Sequence, residues 1–166
     1  SVVVPVYNES ESISTTITRL LEVVNSWNDS YEIIFVNDGS LDNTATRIEN
    51  ICNKNDKVKL INFSRNFGHQ FAMTAGMDYS KGDALILIDG DLQDPPEVMN
   101  KFISEWEKGM MVVYGKRIKR KGENFFKKLS ANLFYWLINI LSKTEIPKDV
   151  GDFRLMDRVI VNEVKN

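Results

Sequence analysis

The chain has 166 residues, of which 43% are hydrophobic and 27% charged, with nine glycines, four prolines and a formal net charge of -2. This is the composition of an ordinary globular domain, and it excludes a fibrous repeat or a disordered chain. The near-neutral charge carries no global signal for nucleic acid, and the single cysteine, Cys52, excludes an intrachain disulfide.

Apolar, β-branched runs alternate with helical patterns along the whole chain. The predicted strands are 1–6, 31–37, 57–63, 84–89 and 110–115; the predicted helices are 12–27, 42–55, 70–80 (capped by Gly82), and one from Pro95 to about Gly109. Strands that are apolar on both faces and separated by helices indicate an α/β fold, with a mostly parallel sheet flanked by helices. The whole chain is expected to be one domain.

Four short polar clusters directly follow the first four predicted strands. Their sequences are YNE, NDGS, SRN and DGDLQD, and they are rich in acids and small residues. Ligands of parallel α/β sheets bind beyond the carboxyl ends of the strands, so these clusters predict a site at that edge.

The cluster DGDLQDPPE carries three aspartates. Asp89 and Asp91 flank Gly90, and both carboxylates can turn to one side of a tight loop as hard ligands for Mg²⁺ or Mn²⁺. Such ions take few protein ligands and complete their shell with water and phosphate, which suggests a metal–diphosphate complex. The alternative is a capped turn, and that interpretation is kept for Asp94 as the N-cap of the helix at Pro95.

The first two loops suggest a nucleotide site. Asp38 follows the second strand and can accept a hydrogen bond from a nucleobase, while Ser40 or Asp42 can cap the next helix. Tyr7 offers a ring for base stacking and Glu9 an acceptor. A plain strand-to-helix turn and rim packing of Tyr7 explain the same residues equally well.

Residues 116–128 contain seven lysines and arginines against one acid, and 129–141 are almost entirely apolar and aromatic. A basic run feeding an apolar helix too short to span a bilayer resembles an interfacial membrane segment. A core helix beside a solvated loop is the alternative. Because the chain begins inside a strand and ends inside a helical pattern, we expect a piece of a longer protein.

The sequence IPKDVGDFRLMDR places Asp149, Asp152 and Arg154 around Gly151. These side chains suit a sugar hydroxyl and a phosphate, since arginine matches phosphate oxygens bidentately; a turn with a surface ion pair is the alternative. His69, the only histidine, begins a predicted helix and is left unassigned.

In this order, VPVYNE, NDGS, SRNFGHQ, DGDLQDPPE and GDFRLM resemble the inverting family-2 glycosyltransferases of the GT-A fold. More narrowly, the chain resembles bacterial polyprenyl-phosphate glycosyltransferases, the group of the bactoprenol glucosyltransferases and dolichol-phosphate mannose synthase. The site residues that the resemblance implies are, for the nucleotide, Pro5, Tyr7, Glu9, Asp38, Arg65, Gly68 and Asp89; for the metal, Asp89, Asp91 and Gln93; for phosphate, Arg117 and Arg154; and, as catalytic residue on the acceptor side, Asp152.

The resemblance implies a metal-dependent hexosyltransferase that uses Mg²⁺ or Mn²⁺ and a UDP- or GDP-hexose. The implied acceptor is a polyprenyl phosphate such as undecaprenyl phosphate, with a saccharide hydroxyl of cell-surface polysaccharide synthesis as the alternative. The resemblance also implies that the full-length protein continues into C-terminal membrane helices. It is expected at the cytoplasmic face of the bacterial inner membrane, as a candidate homo-oligomer without nucleic acid, and this fragment is expected to be soluble. The rival interpretations are a haloacid-dehalogenase-type phosphatase and a non-catalytic nucleotide-binding module.

Overall fold

The computed structural model describes residues 1–116 and 150–165. Residues 1–114 and 152–166 form one compact unit, to which the features below belong; of the second unit, 115–151, only the strand ends at 115–116 and 150–151 are among the described residues.

Six strands form a single sheet in the order β3-β2-β1-β4-β6-β5. The strands are β1 (Val2–Val6), β2 (Ile33–Asn37), β3 (Val58–Asn62), β4 (Ala84–Leu87), β5 (Val112–Lys116) and β6 (Val150–Asp157). The pairs β1–β2, β2–β3 and β1–β4 are parallel, whereas β6 runs antiparallel to β4. The described residues therefore confirm the predicted α/β fold with a mostly parallel sheet.

Five described helices cover the sheet on both faces. They are α1 (Ile13–Asn25), α2 (Thr44–Cys52), α3 (His69–Tyr79), α4 (Met99–Glu107) and α5 (Arg158–Lys165), with a 3₁₀ turn at Pro96–Val98. Side chains alternate between the faces of a strand, so β1 sends Val2 and Val4 into the core beneath α1, α2 and α4. Val3 points the other way, into the core beneath α3 and α5.

Two predicted caps are wrong. Helix α3 ends at Tyr79 and the extended residue Ser80 closes it, its hydroxyl donating to the Met77 carbonyl at 2.7 Å, so Gly82 does not cap this helix. Asp94 is not an N-cap either, because the 3₁₀ turn precedes α4 and the extended Pro95 occupies the cap position. At the end of α3, the extended Ser80 closes the helix before Gly82 is reached; at the start of the 3₁₀ turn, the extended Pro95 lies between Asp94 and the first helical residue.

Strand β6 was not predicted from the sequence, in which GDFRLMD is interpreted as a segment that binds sugar and phosphate, with a turn as the alternative. Its residues pair with β4 in the register Leu87↔Arg154 and Leu85↔Met156. Phe153 and Leu155 are buried in one core and Met156 in the other, so the strand is apolar on both faces. The glycine and the charges at its start concealed this apolar pattern.

Candidate active site

The loops after β1 and β2 are tied together by side-chain hydrogen bonds. Asn8, at a φ of 54°, donates its backbone N–H to the Ser40 hydroxyl at 2.9 Å and accepts the Leu41 N–H on its Oδ1 at 2.8 Å. The Glu9 N–H donates to the Thr44 hydroxyl at 2.8 Å. Two of the predicted polar clusters are therefore one connected structure at the carboxyl edge of the sheet.

Asp42 fastens the start of α2. Its carboxylate accepts the backbone N–H groups of Thr44 at 2.9 Å and Ser10 at 3.0 Å. Desolvation opposes ionisation, but the hydrogen bonds from Thr44 and Ser10 outweigh it and lower the pKa of Asp42 to about 2. Of the two residues predicted to cap this helix, Asp42 makes the contact, while the Ser40 hydroxyl turns back to Asn37 at 2.5 Å.

Asp38 is buried, at 3% exposure, and both of its carboxylate oxygens accept backbone hydrogen bonds. The N–H groups of Phe67 and Gly68 donate to Oδ1 and Oδ2 at 2.7 and 3.0 Å. Gly39 at a φ of 67° makes the close approach possible, because a Cβ there would lie 2.3 Å from the Arg65 carbonyl carbon. Asp38 thus fixes the loop before α3 and does not present a free carboxylate.

A cavity of about 350 Å³ opens at this edge of the sheet. It is lined by Pro5, Val6, Tyr7, Glu9, Asp38, Asn66, Gly68, His69, Ala72, Asp89, Gly90 and Asp91. The structure therefore brings together residues from all four polar clusters that the sequence predicted to meet. Among the described residues predicted for the site, Arg65, Gln93, Asp152 and Arg154 are not part of this lining.

The acidic pair lies on one side of the cavity. Asp91 is exposed, and its Oδ1 accepts the backbone N–H of Gln93 at 3.0 Å, with Leu92 between them at a φ of 60°. Gln93 thus supports Asp91 through its backbone, and its exposed amide side chain lies outside the cavity lining.

Asp89 is the more enclosed of the two acids. Burial raises the pKa of Asp89 above its usual range; the His69 side chain opposes this, whereas the nearby carboxylates of Asp91, Asp152 and Asp94 add to it. The cavity therefore holds an excess of negative charge, which a bound cation would relieve.

His69, which the sequence analysis left unassigned, lies between two of these carboxylates. Its Nε2 is 3.5 Å from Asp89 Oδ1 and 3.5 Å from Asp152 Oδ2. A lone histidine in a sequence gives no sign of which carboxylates it faces, because Asp152 is far away along the chain. The pairing of β6 with β4 was the information needed to find this contact.

Arg154 pairs with Asp152 on β6. Arg154 Nη2 lies 2.9 Å from Asp152 Oδ1, and Nε donates to the Asp152 carbonyl at 3.3 Å. Both side chains are about one-third exposed, at 35% each. An ion pair at this segment was the alternative interpretation of its sequence. The remaining N–H groups of Arg154 are still able to donate to a phosphate.

The donors fit a divalent cation that brings most of its own ligands. Asp89 and Asp91 are hard oxygen donors on one cavity wall, and the described part of the chain has no group of three or more residues placed to enclose a metal. Mg²⁺ and Mn²⁺ commonly bind in this way, through one or two carboxylates together with water and phosphate.

The predicted phosphate ligand Arg117 and the proposed interfacial segment 116–141 lie outside the described residues, apart from the backbone of Lys116. Asp149 lies outside them as well. Within 1–116 and 150–165, none of the helices has both the length and the apolarity needed for a bilayer crossing.

The fold is that of a GT-A glycosyltransferase domain, and the comparisons with known proteins agree. The model of the family "Glycosyl transferase family 2" matches residues 1–165. The chain therefore belongs to glycosyl transferase family 2. This confirms the resemblance found in the sequence, and the phosphatase alternative is set aside.

Two relatives illustrate the similarity. The uncharacterized glycosyltransferase YkcC of Bacillus subtilis is 52% identical over 99% of this chain and 51% of its own length. The bactoprenol glucosyl transferase of Shigella phage SfX is 41% identical over 99% of this chain and 54% of its own length. The chain thus spans about half the length of these relatives.

Solved structures agree on the fold. A mannosyltransferase of Pyrobaculum calidifontis, solved with GDP-Man and Mn²⁺, superposes with a TM-score of 0.66 at 17% identity, covering 98% of this chain and 45% of its own. Glucosyl-3-phosphoglycerate synthase of Mycobacterium tuberculosis, with Mn²⁺ and UDP-glucose, gives 0.68 at 21% identity, covering 96% and 56%. At these identities the likeness establishes the GT-A fold.

Proposed function

We propose that the protein transfers a hexose from a nucleotide-diphosphate sugar, with inversion, to a polyprenyl phosphate such as undecaprenyl phosphate. The single observation that carries the proposal is the cavity in which Tyr7, Glu9, Asp89 and Asp91 meet at the carboxyl edge of the sheet. The 41% identity to a bactoprenol glucosyl transferase supports the lipid acceptor.

The nucleotide-diphosphate sugar is assigned to the side of the cavity formed by the loops after β1, β2 and β4. Pro5, Tyr7 and Glu9 would contact the nucleotide, and the exposed ring of Tyr7 is available for stacking on the base. Asp38 and Gly68 would act through the shape of the loop before α3, since Asp38 is already bound to that loop. Arg65, whose guanidinium lies over the Phe67 ring, is placed at the rim of this loop.

Asp89 and Asp91 would hold Mg²⁺ or Mn²⁺, with the Gln93 backbone orienting Asp91. The cation, when bound, supplies positive charge to the diphosphate as the sugar leaves. Mn²⁺ in the GDP-Man and UDP-glucose complexes of two structural neighbours supports a divalent ion in general. Arg154, and Arg117 outside the described residues, are assigned to phosphate groups.

Asp152 is assigned to the acceptor side. A lipid phosphate has a second pKa of about 6, is largely ionised at neutral pH, and attacks the anomeric carbon without a strong base. For that acceptor, Asp152 orients the nucleophile and balances charge. For a saccharide hydroxyl it would have to accept the proton of the attacking group.

The full-length protein is placed at the cytoplasmic face of the bacterial inner membrane, where nucleotide sugars and polyprenyl phosphate meet. Residues 1–166 would form its single GT-A catalytic domain, with segment 116–141 at the membrane interface and C-terminal membrane helices beyond.

The test is a transfer assay on the full-length protein in membranes. UDP- and GDP-hexoses labelled in the sugar are offered with undecaprenyl phosphate and Mn²⁺ or Mg²⁺, and label in the lipid fraction is measured. We expect one donor to label a lipid that mild acid hydrolyses. Label that appears only in a saccharide acceptor would move the protein to the alternative, and no transfer from any donor to either acceptor would contradict the proposal.

A further inference from the structure

The antiparallel pairing of β4 and β6 sets two carboxylates against each other. The last pair of this register is Leu87↔Arg154; Asp89 follows Leu87 by two residues and Asp152 precedes Arg154 by two. The two carboxylates each have an oxygen 3.5 Å from the same nitrogen, His69 Nε2. Like charges directly opposite on neighbouring strands repel each other. Asp89 and Asp152 therefore need a positive or hydrogen-bonding group between them.

His69 occupies that place and comes from a third element. It is the first residue of α3, and its Nε2 lies 3.5 Å from one oxygen of each carboxylate. Its side chain is 42% exposed and lines the cavity, so it is not a core histidine satisfied by packing.

Asp38 holds the backbone that leads into His69. The Asp38 carboxylate binds the N–H groups of Phe67 and Gly68, the two residues that directly precede His69. Gly68 has a φ of 106°, so the backbone turns sharply into the helix at that point. The buried acid directly after β2 thus fixes the backbone from which the His69 side chain extends.

We propose that His69 is a positioning residue that holds Asp152 in register with the donor side of the cavity. This inference rests on the proposed function, because it assigns His69 to the same transfer reaction. The imidazole spans from Asp89, on the donor side, to Asp152, on the acceptor side. Without the imidazole, Asp152 would keep only its ion pair with Arg154, at 2.9 Å, and would lose its link to the donor side.

The kinetic test compares His69→Ala, His69→Gln and the control Gln70→Ala in the full-length protein. Gln70 is the next residue on α3 and is exposed outside the cavity lining. We expect His69→Ala to lower kcat by about tenfold to a hundredfold, with little change in the KM for the nucleotide sugar, because misplaced reacting groups cost rate more than binding. His69→Gln, which retains an N–H donor, should recover part of the loss, and Gln70→Ala should match the wild type.

A double-mutant cycle tests whether His69 acts through Asp152. If it does, His69→Ala combined with Asp152→Ala is no slower than Asp152→Ala alone. The proposal would be overturned if the fold-losses in kcat of the two single variants multiplied in the double variant, or if His69→Ala had the kcat of the wild type.

A second cycle needs no substrate and separates this inference from the proposed function. The denaturation midpoints of the same single and double variants should combine non-additively, whereas His69→Ala and an exposed distant change such as Glu22→Ala should add. Additive midpoints for the first pair would overturn the positioning role even if the transferase assay succeeds. Non-additive midpoints with no transfer from any donor would leave the His69–Asp152 coupling in place and overturn its assignment to sugar transfer.

Discussion

At the scale of single residues, Asp38 joins the second strand to the loop before α3. It is 3% exposed, and both oxygens accept backbone N–H groups of that loop. A buried carboxylate in such a position stabilises by satisfying donors that would otherwise lose their water. Asp38 therefore fixes the backbone that leads into Gly68 and His69.

We expect Asp38→Ala to leave two backbone N–H groups without their acceptor and to lower the free energy of unfolding by about 1–3 kcal/mol. The variant should also bind nucleotide sugar more weakly, since the loop is released. Urea denaturation followed by circular dichroism measures the first effect. The control is Asp56→Ala, since Asp56 is an exposed acid before β3. Equal stability of the two variants would contradict the stabilising role of the Asp38 hydrogen bonds.

Residue chemistry was predictable where the chain carries its own local signal. Acids and aromatics directly after a buried strand are conspicuous, so the sequence predicted Asp89, Asp91, Tyr7 and Glu9 at one edge of the sheet. All four line the cavity, and their roles there stay predictions. His69 was not found, because its partners are brought to it by β6, a strand that the sequence analysis missed. Arg154 was predicted as a phosphate ligand, and its ion pair with Asp152 belongs to the alternative interpretation of this segment, a turn with a surface ion pair.

At the scale of elements, the close packing of α3 on β1 determines how far the start of α3 reaches over the cavity. Gly76 permits this packing, since a Cβ there would lie 2.1 Å from Val3 Cγ1. Both residues are buried at the centre of the second core. Helix α3 can therefore lie directly on the central strand, with His69 at its cavity end.

Gly76→Ala should push α3 away from β1 and destabilise the fold by about 1–3 kcal/mol through overpacking, although alanine favours a helix by itself. Ala75→Gly, one residue earlier on the same helix, is the matched control for the propensity term. Thermal unfolding of both variants distinguishes the two effects. A Gly76→Ala protein as stable as the wild type would show that the contact relaxes without cost.

The parallel strands and the helices between them were predictable, because the alternation of apolar strands with amphipathic helices is a strong local signal. The C-cap of α3 and the N-cap of the 3₁₀ turn were predicted wrongly, because the extended residues Ser80 and Pro95 occupy these positions and a capping pattern does not encode that backbone geometry. Strand β6 was not predicted because its pairing with β4 is antiparallel and joins segments far apart in the chain, so no β-hairpin marks it in the sequence.

At the scale of the whole molecule, Glu32 links three parts of the chain at the opposite end of β2 from the cavity. Its carboxylate accepts hydrogen bonds from the Ser1 hydroxyl at 2.6 Å, the Lys81 N–H at 2.7 Å and the Lys59 ammonium at 2.6 Å. Desolvation opposes ionisation, but these donors together lower the pKa of Glu32 from 4.5 to about 2.

A folded-state pKa below the unfolded one means that the ionised carboxylate stabilises the fold above the unfolded pKa. This contribution is lost as the pH falls from 4.5 toward 2. We therefore expect Glu32→Gln to flatten the decline of the melting temperature over that interval, while Glu22→Gln on the exposed face of α1 leaves it as in the wild type. If the melting temperatures of Glu32→Gln and the wild type fell in parallel as the pH decreased through this interval, the stabilising role of the Glu32 carboxylate would be contradicted.

The central claim is that the cavity binds a nucleotide-diphosphate sugar together with a divalent cation on Asp89 and Asp91. The most direct measurement is calorimetric titration of UDP- and GDP-hexoses into the protein, with Mn²⁺ and with EDTA, for the wild type and Asp91→Ala. We predict that one sugar nucleotide binds with Mn²⁺, and that EDTA or Asp91→Ala weakens it by at least about tenfold. Binding of equal strength in EDTA and in Asp91→Ala would contradict the claim.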